Sequence, residues 1–238
     1  MAEIATLPAG ICCAVIPAYN EAAHIADVVA RARRFTAAVL VVDDGSDDEC
    51  FRLAEAAGAI VLRHERNLGK GASLQHGLDW AAQSEKYAFA ITLDGDGQHL
   101  PEEIPRFLAI AAGYDLLIGN RMAARNNMPR LRWYTNRIMS AIISRLAGVS
   151  IPDSQCGFRL IRCAAWPRLI IRSRNFDYES EMLVAAGRAG LRISSVPITT
   201  VYGAEKSKIR PVQDTVRFLR LIWRLWRQRP PYPSLPSP

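Results

Sequence analysis

Two aspartates with one glycine between them, Asp94 and Asp96, directly follow the apolar run 87–93. Carboxylates at that spacing on the end of a strand can share a hard divalent cation, which prefers oxygen ligands. Gln98 offers a third oxygen. Gly95 and Gly97 leave room for backbone and a diphosphate to come close. Taken alone, Asp-x-Asp is more simply a polar turn, because Asp and Gly are turn residues. Three neighbours in the sequence tip the balance toward a ligand site. They are the strand before it, a second acidic loop at Asp43-Asp44-Gly45-Ser46, and the segment Pro17-Ala18-Tyr19-Asn20-Glu21 after the first strand.

Each neighbour has chemistry of its own. A carboxylate in the Asp43-Asp44 loop can accept hydrogen bonds from a base or a ribose, while Ser46, Asp47 or Asp48 can also serve as a plain helix cap. Lys70, within Asn67-Leu68-Gly69-Lys70-Gly71, can help a helix N-terminus hold a diphosphate. That segment does not match G-x-x-x-x-G-K-[ST], and no G-x-G-x-x-G follows the first strand, so ATPase and dinucleotide-binding readings are rejected. The histidines at 24, 64, 76 and 99 lack the spacing of a zinc site, and only His99 stands near the proposed metal. No G-x-S-x-G is present, and no cysteine has an evident histidine partner.

The elements that must carry these residues alternate between strand and helix. Short apolar runs at 11–16, 38–42, 60–62, 87–93 and 114–118 read as buried strands. Helices are expected from an Asn20 cap to about Arg34, from Asp47 or Asp48 to Ala57 with Gly58 as the stop, over 69–84, and from Pro101. The second half predicts helices over 130–147 and 176–187, a loop over 153–159, and a strand region over 191–200 interrupted by Pro197. This pattern predicts an α/β fold with a mostly parallel sheet flanked by helices. Ligands in such folds sit at the carboxyl ends of the strands, where the three acidic loops fall.

With 238 residues, half of them hydrophobic and 22% charged, the chain has the composition of one substantial globular domain. No apolar run reaches the roughly 18 residues a bilayer requires. The first ten residues do not resemble a secretory signal. Five cysteines without a C-x-x-C pair suggest reduced thiols and a cytoplasmic setting. The net charge is +7, and eight cations against two acids between Glu205 and Arg229 account for six of those charges. A nucleic-acid binder would spread cations over a face, so no nucleic-acid partner is expected. A basic tail points instead to an anionic membrane surface or a phosphate ligand. On a helical wheel Arg220, Arg224 and Arg227 fall within about 80° of Arg217, opposite Phe218, Leu219, Leu221, Ile222, Leu225 and Trp226. A basic amphipathic helix of this kind either lies in a membrane interface or packs on the protein core with an arginine edge. The expected organisation is a domain over 1–210, this helix over 211–229, and a disordered proline-rich tail over 230–238.

Together these segments resemble family 2 glycosyltransferases of the Rossmann-like GT-A fold, and within them the dolichyl-phosphate mannose synthase group. The resemblance runs from about Ile11 to Phe218. It rests on 16–21, on Val42-Asp43-Asp44-Gly45-Ser46-Asp47-Asp48, on 67–71, on 94–98, on Gly119-Asn120-Arg121, on Cys156-Gly157-Phe158-Arg159 and on Lys206-Ser207-Lys208, in that order. It implies that Pro17, Tyr19, Glu21 and Asp44 line the nucleotide site, and that Asp94, Asp96 and Gln98 bind Mg²⁺ or Mn²⁺ against the diphosphate. It also implies that Arg121 and Arg132 meet an acceptor phosphate, with Asn136 or Ser140 nearby. Lys208 would reach a phosphate where donor and acceptor meet. The chain departs from the group at Thr200-Val201-Tyr202-Gly203, where an arginine is often found; Lys206 or Lys208 can compensate.

The implied reaction moves a hexose, of mannose or glucose type, from GDP-mannose or a UDP-hexose to a polyprenyl phosphate, with inversion. A lipid phosphate is already anionic, so positioning suffices and no general base is needed. A hydroxyl acceptor would need a carboxylate base, for which Asp153 and Glu179 are candidates. A non-catalytic nucleotide-sugar-binding adaptor on the same fold is the remaining alternative. A lipid acceptor would place the enzyme peripherally on the inner face of the cytoplasmic membrane, held by its basic helix.

Overall fold

The computed structural model describes residues 11–123, 128, 130–175, 177–199 and 211–227. Strand β1 (Cys12–Ala18) is buried at all seven positions. That is the signature of a strand covered on both faces, for which a continuous apolar run is required. It pairs in parallel with β2 (Ala38–Asp43) on one side and β4 (Phe89–Thr92) on the other, and β2 pairs in parallel with β3 (Ile60–Arg63). Beyond β4 the sheet continues through β6 (Arg159–Arg162), β5 (Leu116–Asn120) and β7 (Ile193–Pro197), giving the order β3-β2-β1-β4-β6-β5-β7. Only β6 runs antiparallel to its neighbours among these seven strands.

Helices α1 (Ile25–Ala32), α2 (Cys50–Ala56), α3 (Lys70–Gln83), α4 (Ile104–Ile110), α5 (Arg130–Ala147), α6 (Tyr178–Arg188) and α7 (Pro211–Arg227) are the α-helices among the described residues. The period-two alternation of β1 explains how both faces are covered. Val15, with Leu40 and Val42, lies under α3 at Gly77, where a Cβ would come within 2.4 Å of Val15 Cγ1. Ile16 points the other way and sits beside Ile25 of α1, both of them 3.5 Å from a Cβ built on Gly95. The core is this pair of apolar layers, extended by Phe89, Phe107, Phe158 and Tyr178.

The mostly parallel α/β sheet expected from the sequence is present, with three local differences. Strand β6 falls where no strand was expected, immediately after the loop over 153–159. Its first residue, Arg159, is fully buried and donates to the carbonyls of Cys156, Glu179 and Ser154, so a charged residue sits in a position that normally excludes one. Asn20 does not cap α1. It adopts a positive φ of 55°, and its Oδ1 accepts the N–H of Asp47 at 2.9 Å, tying the first loop to the second. Pro101–Glu103 form a 3₁₀ turn before α4 rather than its first turn.

Candidate active site

Strand polarity brings the expected residues to one edge. The carboxyl ends of β1, β2, β4 and β5 all point the same way, and antiparallel β6 begins there. Thr92 at the end of β4 is in register with Arg159, and its hydroxyl donates to the carbonyl of Gly157 at 2.7 Å. The Asp94–Gln98 turn and the Cys156-Gly157-Phe158-Arg159 segment are therefore neighbours. Arg121 follows β5 on the same edge.

Lys70, the first residue of α3, reaches into this corner. Its Nζ lies 2.7 Å from Asp94 Oδ1 and 3.1 Å from Glu179 Oε1 on the first turn of α6. Burial alone would lower the ammonium's pKa, but the two carboxylates outweigh it and hold Lys70 charged, above the ordinary lysine range. Burial likewise opposes ionisation of Asp94, yet Lys70, then His99 and Arg121, bring its carboxyl well below the usual range. Asp96 shifts the other way, raised by burial and by the charge of Asp94. His99 Nδ1 accepts the N–H of Asp94 at 3.1 Å; burial keeps its ring neutral by lowering its pKa. Asp96 Oδ1 accepts the N–H of Gln98 at 3.0 Å, closing the turn.

Gly157 forms one wall of the corner. A Cβ there would stand 2.8 Å from Glu179 Oε1, 3.3 Å from Lys70 Nζ and 3.4 Å from Asp94 Oδ1. Glu179 Oε1 is buried and accepts no hydrogen bond, leaving the ion pair with Lys70 as its compensation. Asp94, Asp96 and Gln98 present hard oxygen chemistry, and a cation would relieve both the burial of the Asp96 charge and its repulsion from Asp94. These features fit a divalent ion. Among the described residues no three His, Cys, Asp or Glu side chains converge on one point, so such an ion would need donors from its ligand as well.

Arg121 is almost fully buried. Its Nε and Nη2 meet both oxygens of Asp153 at 2.8 and 2.9 Å, and its backbone N–H adds a third contact to Asp153. The bidentate fork fixes the guanidinium's plane. Asp153 itself is wholly inaccessible, so this candidate base is committed to a cation, as Glu179 is to Lys70.

Asp44 is brought to the same edge but is turned inward. Oδ1 accepts from His64 Nδ1 at 2.7 Å and the Leu68 N–H at 2.9 Å, and Oδ2 accepts the Gly69 N–H at 2.8 Å. It thus clamps the loop that delivers Lys70. Asp43 accepts the Ser46 hydroxyl and pairs with Arg63 Nε at 3.1 Å. Pro17 is buried in β1, Tyr19 projects from the loop after it, and the Glu21 carbonyl accepts the N–H groups of His24 and Ile25 to start α1. On α5, Asn136 is buried with its Nδ2 4.0 Å from Met128 Sδ, Arg132 is half-buried, and Ser140 binds Ser154. Ser140 therefore joins α5 to the loop holding Asp153. Lys206 and Lys208 lie outside the described residues. Glu179 was expected only as a possible base; its tether to Lys70 joins residues far apart in sequence, and no local pattern announces it.

The C-terminal helix divides its apolar residues between two faces. Leu221 and Leu225 are buried. Arg224 Nη2 donates to Ser173 Oγ at 2.8 Å and to Glu181 Oε2 at 2.9 Å, and Arg188 Nη2 donates to the Leu225 carbonyl at 2.6 Å. Leu219, Trp223 and Trp226 are more than half exposed, and the Arg227 guanidinium sits 4.0 Å over the Trp223 ring. The helix packs on the protein through one face and shows solvent an aromatic stripe edged with arginine. Among the described residues no helix is long and apolar enough to cross a membrane.

The profile described as glycosyl transferase family 2 matches residues 13–169. An undecaprenyl-phosphate mannosyltransferase of Micrococcus luteus is 31% identical over 202 residues, covering 79% of this chain and 82% of the relative. A UDP-N-acetylglucosamine–dolichyl-phosphate N-acetylglucosaminyltransferase of Methanococcus voltae is 29% identical over 236 residues, covering 89% and 93%. The crystal structure of glucosyl-3-phosphoglycerate synthase from Mycobacterium tuberculosis with Mn²⁺, UDP and glucosyl-3-phosphoglycerate superposes with a TM-score of 0.67 at 20% identity, over 94% of this chain and 81% of that one. The fold is GT-A, as the sequence predicts.

Proposed function

The chain belongs to glycosyl transferase family 2 and is a glycosyltransferase, and from that premise we propose that it transfers a hexosyl group from a nucleoside diphosphate sugar to a polyprenyl phosphate. The observation that carries the choice of acceptor is the Arg121–Asp153 pair. A hydroxyl acceptor must lose a proton and needs a carboxylate to take it. Both nominated carboxylates are engaged by cations, Asp153 by Arg121 and Glu179 by Lys70. A phosphate acceptor has no proton to lose and is drawn to fixed cations. The relatives named for undecaprenyl and dolichyl phosphate support the same choice.

In this reading Asp94, Asp96 and Gln98 would hold Mg²⁺ or Mn²⁺, and the Mn²⁺ and UDP of the mycobacterial synthase support that assignment. When bound, the ion supplies Lewis-acid neutralisation of the charge on the departing diphosphate. Lys70 adds a cation at the helix N-terminus beside that group. Pro17, Tyr19 and Glu21 border the nucleotide. Asp44 serves it indirectly, by fixing the loop of Leu68 and Gly69. Arg121 directs the acceptor phosphate, and Arg132 and Asn136 on α5 and, by the family resemblance, Lys208 are the further residues assigned to it. An acceptor oxygen attacks the anomeric carbon, the bond from that carbon to the diphosphate oxygen breaks, and the electron pair leaves with the nucleoside diphosphate. One in-line displacement inverts the anomeric centre, and its rate rests on positioning.

The membrane follows from the acceptor. The stripe of Leu219, Trp223 and Trp226 beside Arg220 and Arg227 suits an anionic bilayer surface, and we assign α7 to peripheral attachment there.

The test is a transfer assay with Mn²⁺ and radiolabelled GDP-mannose or UDP-glucose on vesicles containing undecaprenyl phosphate. Label in the organic phase is the expected result. Label that enters only water-soluble products would establish a hydroxyl acceptor instead, and no transfer from either donor would overturn the choice of a mannose- or glucose-type hexose.

A further inference from the structure

We infer that Lys70 and the catalytic cation compete for Asp94, and that Glu179 is the positioning residue that receives Lys70 when the cation wins. The inference rests on the assignment of Asp94 and Asp96 as metal ligands. Its starting point is a shared oxygen. Asp94 Oδ1 is 2.7 Å from the Lys70 ammonium, and a divalent ion on Asp94 draws on the same carboxylate.

Three features make exchange possible without stranding a charge. Lys70 Nζ already touches a second carboxylate, Glu179 Oε1, at 3.1 Å. That oxygen has no hydrogen bond of its own, so nothing else must be broken for Lys70 to settle on it. Gly157 keeps the space between the three groups free of side chain. An unpaired ammonium or carboxylate would be costly at this partly buried site. With Glu179 in place, Lys70 remains paired whether or not it holds Asp94.

Release of Asp94 also frees donors. An ammonium has three N–H groups. Once Asp94 is given to the metal, those no longer spent on it can turn to a diphosphate bound beside that metal. Lys70 would then oppose the free ion but support the ion when it arrives with its nucleotide. The same side chain acts with opposite sign on two ligands, which a purely structural lysine would not do.

The experiment measures Mn²⁺ binding by the EPR signal of the free ion, with and without UDP or GDP, for the whole chain and for Lys70→Met, Glu179→Gln and Asp96→Ala. Folding of each is checked by circular dichroism. If Lys70 holds Asp94 nine-tenths of the time, its removal lowers the Kd for Mn²⁺ alone by roughly tenfold. Lys70→Met is also expected to weaken binding of the Mn²⁺–nucleotide pair. Glu179→Gln commits Lys70 to Asp94 and is expected to weaken Mn²⁺ binding several-fold, giving a second reading that does not depend on Lys70→Met being stable. If Lys70→Met binds Mn²⁺ no more tightly while Asp96→Ala abolishes binding, competition is refuted and the metal site stands. If Asp96→Ala binds Mn²⁺ as the unaltered chain does, the metal assignment itself falls and the competition falls with it.

Discussion

On the proposed metal role, folding and chemistry place opposite demands on Asp96. Its raised pKa means that the ionised form is disfavoured in the fold, first by burial and then by Asp94. The linkage sign follows directly. A carboxyl with a raised folded pKa favours the folded state most below its unfolded pKa, near 4, and becomes a liability as pH climbs through the folded value. Asp96→Asn removes that liability and keeps an acceptor for the Gln98 N–H. Under EDTA at neutral pH this variant is expected to melt at a higher temperature than the unaltered chain, while transfer falls by at least about a hundredfold, on the scale of lost electrostatic stabilisation. Calorimetry and the transfer assay check the two halves separately, and a lower melting temperature would contradict the stated electrostatics. Asp94 has the reverse sign. Its depressed pKa supplies stability above the unfolded value, and that stability drains away as pH falls toward the folded one. Gly157→Ala tests the same corner sterically. A methyl group 2.8 Å from Glu179 Oε1 must displace it or Lys70, so we expect activity to fall at least about tenfold, with a change in melting temperature limited to the few degrees that about 1 kcal/mol represents.

At the scale of elements, the parallel half of the sheet was legible because its strands are short apolar runs ended by acidic turns. The acidic loops follow from strand polarity, which nominates Asp94 and Asp96; Lys70 is nominated by its place at a helix N-terminus and Arg121 by the family resemblance, and the fold brings all four to one edge. What sequence could not supply is pairing across distance. Arg121 with Asp153 joins two loops, and Lys70 with Glu179 joins the first turns of α3 and α6, in each case across a long stretch of sequence. Strand β6 escaped detection for a related reason: Arg159 and Arg162 bracket its two apolar residues, and Arg159 is tolerable inside only because three carbonyls receive it. Asn20 looked like a cap because its side chain suits one, but the same oxygen serves Asp47 instead. The attachment of α7 is tested at this scale. Arg224 bridges Glu181 and Ser173, and Glu181 also accepts the N–H groups of Arg172 and Ser173. Arg224→Met keeps the stem and removes the charge-assisted contacts, which should lower stability by about 1–2 kcal/mol in urea unfolding. Unchanged stability would mean that the buried Leu221 and Leu225 and the Arg188 contact to the Leu225 carbonyl secure the helix without Arg224.

For the whole molecule, the decisive quantity is where the enzyme resides relative to its acceptor. The excess positive charge is concentrated after Glu205, and α7 turns Leu219, Trp223 and Trp226 outward while its other face is held by the core. This division allows a separation of stability from attachment. Trp223→Ser together with Trp226→Ser removes aromatic area that is more than half exposed, so the melting temperature should stay within a degree or two, the effect of a surface change of about 0.5 kcal/mol or less. Co-sedimentation with vesicles containing anionic lipid should fall at least about fivefold, since binding scales with buried apolar area and charge. Raising the salt concentration should weaken binding of the unaltered chain as well, because the arginine contribution is screened over roughly 10 Å at 0.1 M. If the double variant still sediments with vesicles as the unaltered chain does, α7 is a structural helix with an ornamental stripe, and attachment must be sought on another surface. If it loses vesicle binding yet still transfers sugar to a short, detergent-dispersed polyprenyl phosphate, the helix delivers the enzyme to its acceptor and takes no part in the displacement.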